Sequence, residues 1–298
     1  MKRLFVVTVV SFLVISCNSQ IPTKKKTDLT SVKSSMLWKI EGNHLKNPAY
    51  LFGSMHIVQK RFFHFSDTLK NLILNSDQVI MELGDMPDYS SILPKLMLPE
   101  GEVLDTYFRP AQLDSLLDFM EKNLSIPRTM YSATFSKMKP FVLMQLVIAK
   151  QFEGETESYD MMIMNLAKEN KIKLIGLETI EQQLGFFDSI PTKNLINEIC
   201  QSVQNVDSIQ QATIQMQEVY AKGNLDSLAV LMQDSTSNLS NFQSILLDNR
   251  NLNWAEQLKT LLKGKKTFIA VGAGHLSGKK GLIELLRAQG YTVTPIRY

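Results

Sequence analysis

Two of the chain's four histidines stand in the same four-residue setting, Gly53-Ser54-Met55-His56 and Gly272-Ala273-Gly274-His275. Each follows a short apolar run, Ala49-Tyr50-Leu51-Phe52 in the first case and Thr267-Phe268-Ile269-Ala270-Val271 in the second. Runs this short, rich in aromatic and β-branched residues and stopped by Gly, predict strands. A Gly three residues ahead of a polar side chain lets the chain turn sharply or approach a ligand closely. In an open α/β sheet, ligands bind in the crevice beyond the carboxyl ends of the strands. Two strands would each deliver an imidazole there, and imidazole is the commonest metal ligand and general base. With only 14 Gly in 298 residues, the repeated Gly-x-x-His favours a paired role over two unrelated loop histidines.

Two carboxylates occupy comparable places. Glu82 closes the apolar run Val79-Ile80-Met81, and Glu178 follows Leu174-Ile175-Gly176-Leu177. Two imidazoles with one or two carboxylates suit zinc, manganese, iron or cobalt and lean away from copper. His56, His275, Glu82 and Glu178 could together hold a divalent ion (manganese, cobalt or zinc), with Glu82 or Glu178 as a catalytic carboxylate that takes a proton from bound water. Each carboxylate also has a plainer explanation. Glu82 could be a solvated strand end, and Glu178 could place negative charge at the start of the next helix. Arg61 and Arg250 are weaker substrate-binding candidates, able to hold a carboxylate or an oxyanion, although surface ion pairing explains either as well. His44 and His64 read as structural or solvated. Nucleophile-elbow, His-Glu-x-x-His and phosphate-loop motifs are absent, and Gly272-Ala273-Gly274 lacks what a dinucleotide fingerprint needs.

The elements that must position these groups follow from periodicity. Strands are predicted at Leu37 to Ile40, Tyr50 to Gly53, Gln78 to Leu83, Ile172 to Leu177, Thr267 to Val271 and Tyr291 to Ile296. Helices are predicted at Phe65 to Asn75 behind a Ser66 cap, from Pro110, at Pro140 to Ile148 and at Asp160 to Asn170. Thr179-Ile180-Glu181-Gln182 has the form of a capping box. The last strands flank a helix at about 279–289, a compact β-α-β ending. The expected fold is α/β: a single discontinuous domain over 36–298, with a mostly parallel sheet core and large helical insertions at about 95–170 and 190–262.

The N-terminus reads as a targeting segment over 1–16. Lys2 and Arg3 precede an apolar stretch from Leu4 to Ile15 that is too short to span a bilayer. Val14-Ile15-Ser16-Cys17 resembles a bacterial lipobox, in which cleavage precedes an acylated Cys. Residues 17–35, with Lys24-Lys25-Lys26, then form a flexible tether. The expected location is the cell envelope, lipid-anchored through Cys17, in the outer membrane more than the inner because Asn18 follows the Cys. Cys200 is then the single remaining thiol and reads as a small core residue. Without Lys2 and Arg3 the chain carries 30 basic against 29 acidic residues. No basic stripe with interleaved aromatics is present, so nucleic acid is not an expected partner.

Taken in order, Tyr50-Leu51-Phe52-Gly53-Ser54-Met55-His56, Met81-Glu82-Leu83, Leu177-Glu178-Thr179 with Gln182-Gln183-Leu184, Arg250-Asn251 and Val271-Gly272-Ala273-Gly274-His275-Leu276 resemble the TraB/GumN family. That family is similar to the Tiki proteases and, more distantly, to erythromycin esterases and haem-binding ChaN-like lipoproteins. The resemblance covers about 37–298. It implies a metal and catalytic constellation of His56, His275 and Glu82, with Glu178 in a further family motif. The leading expectation is a lipid-anchored metal-dependent hydrolase, a peptidase acting on peptide or small-molecule substrates. The alternative is a haem- or metal-binding lipoprotein of the ChaN type, and a third is an inactive interaction module.

Overall fold

Gln78–Leu83 and Thr267–Gly272 are buried along almost their whole length, as the middle strands of a sheet covered on both faces must be. The computed structural model describes residues 34–86, 88–233 and 239–298. The lipobox and nearly all of the tether expected from the sequence lie outside the described residues. The strands are β1 (Leu37–Gly42), β2 (Ala49–Ser54), β3 (Val58–Gln59), β4 (Gln78–Leu83), β5 (Thr156–Glu157), β6 (Lys173–Glu178), β7 (Thr267–Gly272) and β8 (Tyr291–Ile296). Six of them form one sheet in the order β6-β4-β7-β2-β1-β8, while β3 and β5 make a short separate ribbon. The β6-β4-β7-β2 block is parallel, and β1 runs antiparallel to both β2 and β8. The mostly parallel α/β sheet expected from the sequence is present.

The ending differs from expectation. β7 and β8 are not neighbours, because β2 and β1 stand between them. The chain leaves β1 through Gly42 (φ 81°), Asn43 (φ 43°) and His44 (φ 61°), a left-handed turn that folds β2 back beside β1. The outer edge of β1 is thereby left for β8.

Local chemistry sets the helices. Ser66 accepts from the Leu69 N–H and starts Asp67–Leu74. Thr179 and Gln182 form the reciprocal capping box of Ile180–Asp188. Pro110 and Pro140 each open a helix, and Pro140–Ala149 is buried nearly all round. Among the described residues no helix is long and apolar enough to cross a membrane.

Apolar side chains fall into two clusters. One packs on the sheet and includes Phe52, Ile80, Phe268, Tyr159, Ile163, Trp254 and Leu258. The other is a helical lobe built from parts of 92–152, 180–200 and 239–246, including Phe119, Tyr131, Phe141, Leu143 and Phe187. Cys200 is a buried member of that lobe, the small core residue expected. The helices Tyr159–Glu169 and Asn249–Leu261 pack on the sheet rather than in the lobe, and the two helical stretches share one lobe core. Periodicity says that a helix buries one face but not which partner covers it.

Candidate functional site

β2 and β7 pair in register, with Gly53 opposite Val271 and Ser54 opposite Gly272, so the two motifs leave the sheet side by side. The two leading glycines serve different close approaches. A Cβ on Gly53 would lie 2.9 Å from Leu276 Cδ2 and 3.0 Å from Ala273 Cα, so this glycine admits the turn carrying the second histidine. A Cβ on Gly272 would lie 3.1 Å from His56 Nε2 and 3.3 Å from Glu82 Oε1, so this one keeps open the space where those groups converge.

His56 and His275 stand 219 positions apart in the chain, yet the Nε2 of each is 3.8 Å from the same atom, Glu82 Oε1. Both rings are held from behind. His56 Nδ1 lies 2.7 Å from Asp160 Oδ2, and the other Asp160 oxygen accepts from Ser54 Oγ at 2.9 Å. His275 Nδ1 lies 2.6 Å from Asn251 Oδ1. The Asn251 amide donates to the Lys280 carbonyl at 2.9 Å, which fixes its oxygen toward the ring. An amide oxygen only accepts, so His275 carries its proton on Nδ1, and Nε2 accepts from Arg250 Nη1 at 3.2 Å. Trp254 packs on the same ring, 4.3 Å between centroids.

Arg250 is 2 % exposed and is the hub of the site. Its Nη2 donates to Glu82 Oε2 at 2.7 Å and to Glu178 Oε2 at 2.8 Å, and its Nε donates to Glu178 Oε1 at 3.0 Å. Trp254 Nε1 donates to Glu178 Oε1 at 2.9 Å, and Gly272 N to Glu82 Oε1 at 2.9 Å. Burial works to raise the Glu82 pKa, but the Arg250 charge, both imidazoles and the Gly272 N–H together hold it down to about 2. Glu178 is raised, chiefly by burial, against the pull of Arg250. Burial and then the Arg250 charge lower His275 to about 3, so its imidazole is neutral. Burial also pulls His56 down, but the Asp160 charge and hydrogen bond lead the effects that leave it raised.

The structure thus brings His56, Glu82, Glu178, Arg250 and His275 together. It does not bring Arg61, which is exposed, donates to Gln59 Oε1 at 3.0 Å and lies over the Phe62 ring. His44 and His64 are exposed and apart from the site. Arg250 is buried against two carboxylates, so the surface-pair explanation fails for it. Glu178 points at Arg250 and Trp254 and does not line the cavity that His56 and His275 reach. Sequence reasoning missed Asp160 and Trp254, and gave Gln183 and Asn251 no role. Gln183 Nε2 approaches Glu82 Oε2 at 3.3 Å and Glu178 Oε2 at 3.4 Å. Asp160 sits in the first turn of its helix, where an acid already has a helix-dipole explanation, so no separate signal marked it.

The donor set is chemically suited to a divalent cation. Two imidazole Nε2 atoms converge on a carboxylate oxygen, and both rings have the Nδ1 hydrogen bonds that orient metal ligands. With neutral imidazoles, three carboxylates (Glu82, Asp160, Glu178) against one guanidinium leave two formal negative charges. The donors are not drawn to ligand spacing: among the described residues no group of three or more His, Cys, Asp or Glu is placed to hold a metal ion. Glu82 instead divides its oxygens between Arg250 and the Gly272 N–H.

The TraB/PrgY/gumN family model matches residues 36–295. The chain belongs to the TraB/PrgY/gumN family. Among curated proteins similar to it, metalloprotease TIKI2 of Xenopus tropicalis is 24 % identical, over 87 % of this chain and 59 % of the relative. Metalloprotease TIKI1 of Danio rerio is 21 % identical over 87 % of this chain and 63 % of its own length. A metalloprotease TIKI homolog of Nematostella vectensis is 22 % identical over 95 % of this chain and 72 % of its own length. The chain spans about three fifths of the length of the first two relatives. No solved structure matches it significantly.

Proposed function

We propose that this chain is a metal-dependent hydrolase, a peptidase, in which His56, His275 and Glu82 hold a divalent ion. The observation that carries the reading is the convergence of both imidazole Nε2 atoms on Glu82 Oε1, each ring tied back through Nδ1. The names of the TIKI relatives supply the reaction class. A divalent ion bound there supplies Lewis-acid polarisation of a scissile carbonyl. The chain's own residues supply the rest. Asp160 and Asn251 hold the ring protons on Nδ1 and aim the Nε2 lone pairs inward. Arg250 keeps Glu82 ionised, which suits Glu82 to a ligand and charge role rather than to proton abstraction at neutral pH. Glu178 clamps Arg250 and is assigned to positioning.

The haem-holding alternative finds little room. The cavity at the two histidines measures about 90 Å³, whereas benzene alone occupies an engineered cavity of about 150 Å³. The same proposal places the chain at the cell envelope through an acylated Cys17, with peptide substrates and no nucleic-acid partner.

Metal content and peptide hydrolysis, read on the same purified samples, test the reading. His56→Ala and His275→Ala should each lose bound metal and turnover while circular dichroism stays unchanged, because the sheet core is large enough to fold without an ion. Full turnover in a chelator-stripped sample, or in the double histidine variant, would defeat it. Cys17→Ser should release the chain from membranes, and unchanged retention would remove the anchor from the proposal.

A further inference from the structure

The cavity that ends on His56 and His275 is walled by Ile57, Phe152, Met216, Leu228, Met232 and Leu247. Among the described residues its wall carries no Asp, Glu, Lys or Arg. Of its polar side chains other than the histidines two are engaged elsewhere, while Thr213 Oγ1 is buried with no hydrogen-bond partner among the described residues. Ser54 Oγ donates to Asp160 at 2.9 Å. Gln217 accepts from Gln59 N at 2.6 Å through Oε1, and its Nε2 donates to the Thr213 carbonyl at 3.2 Å. A polar group entering here would meet Thr213 Oγ1 and the two imidazoles at one end, but along the apolar remainder of the wall it would shed water without finding a partner, whereas an apolar group would lose nothing.

We infer that this cavity is a specificity subsite that takes an aliphatic side chain, of leucine or methionine size, from the substrate residue beside the cleaved bond. The inference rests on the peptidase reading for the word substrate, and on the cavity alone for the choice of side chain. Size supplies the upper bound. About 90 Å³ accommodates a four-carbon branched chain and is smaller than the cavity of about 150 Å³ known to take a benzene ring. Position supplies the link to chemistry, since the same two imidazoles that converge on Glu82 form the polar end of the cavity. Met216 and Met232, flexible thioethers, can close around a branched chain without a fixed mould. Met216 is half-buried at the wall and therefore sets the width at a position that tolerates change.

The test uses the full chain with methionine methyl groups labelled for NMR, titrated with N-acetyl-leucinamide, N-acetyl-phenylalaninamide and N-acetyl-aspartic acid amide. Leucinamide should move the Met216 and Met232 methyl signals saturably, about tenfold more tightly than the aspartic probe and about fivefold more tightly than the phenylalanine probe. Met216→Ala, which widens the cavity, should bring the phenylalanine probe to parity with leucine or above it. Met216→Trp, which fills the cavity, should abolish the leucine response while circular dichroism remains unchanged. Equal responses to leucine and aspartic probes, an unchanged probe order in Met216→Ala, or silent Met216 and Met232 signals in folded protein would each overturn the subsite. Failure of the two readings is distinguishable. Leucinamide binding without peptide hydrolysis in metal-loaded protein leaves the subsite and removes the peptidase. Hydrolysis with no leucine preference and no methyl response does the reverse.

Discussion

The sheet edge and the helical lobe bury polar side chains in opposite ways. At the sheet edge His56, Glu82, Asp160, Glu178, Arg250, Asn251 and His275 are all buried, and hydrogen bonds link each to another buried group. In the lobe, Gln145 Nε2 and both amide atoms of Gln151 are buried with no hydrogen-bond partner among the described residues, whereas beside the site Gln183 leaves only its Oε1 unpartnered and directs its Nε2 to both carboxylates. An unsatisfied buried amide costs about 1–3 kcal/mol, so the lobe must offset that with apolar contact. Its large apolar side chains, Phe119, Tyr131, Phe141, Leu143 and Phe187, supply it. Apolar packing is non-directional and specifies volume. A connected polar network is directional and specifies where individual atoms sit. The chemistry therefore stands at the sheet edge, and the lobe reaches it through Phe152 at the cavity wall, the Leu246 carbonyl that accepts from Arg250, and the helix Ile180–Asp188. That helix packs Ile180, Leu184 and Phe187 into the lobe and turns Gln183 toward the two carboxylates.

The largest effect expected from this contrast is at Arg250. Arg250→Ala leaves Glu82 and Glu178 buried without their cation and should cost about 4 kcal/mol in urea unfolding. Adding Glu178→Gln should recover part of that loss, because one uncompensated charge is removed. A cost under about 1 kcal/mol would mean that the network is not a connected unit.

Leu143→Ala, at a lobe position 1 % exposed, should cost about 3 kcal/mol through the cavity it leaves. Metal uptake per folded molecule should nevertheless match the wild type. Lost uptake at unchanged folded fraction would break the separation between lobe and site.

Acid should act on the sheet edge with a defined sign. His275 is held down to about 3 from an ordinary 6.5, so below pH 6.5 the unfolded chain binds a proton that the folded chain refuses. Stability is full above pH 6.5 and falls as pH drops toward about 3, by about 2 kcal/mol between pH 6.5 and about pH 5 in metal-free protein. Glu82, held to about 2 from 4.5, acts in the same direction at lower pH. His56 is raised, so its contribution is present below its ordinary value and is lost only at higher pH. His275→Asn should flatten the slope between pH 6.5 and about pH 5, which denaturant midpoints across that range would measure. An unchanged slope would assign the acid sensitivity elsewhere.

Much of this architecture was legible in the chain because its signals are local. The strands Gln78–Leu83 and Tyr291–Ile296, the Ser66 cap and the Thr179–Gln182 capping box depend on neighbours within a few residues, and they lie where periodicity and cap chemistry put them. The paired Gly-x-x-His motifs were legible for the same reason, each being a strand end followed by a turn. Tertiary structure alone decided three things. It placed β8 against β1 rather than β7, because strand order follows from which edge a hairpin leaves open. It merged two helical stretches into one lobe and sent Tyr159–Glu169 to the sheet, because an amphipathic pattern does not name its partner. It assigned roles among the polar residues, drawing Arg250 between Glu82 and Glu178, Asp160 behind His56 and Asn251 behind His275, and leaving Arg61 in solvent. Residue type fixes what a side chain can do, but burial and distance, which only the folded chain possesses, decide which of those things it does.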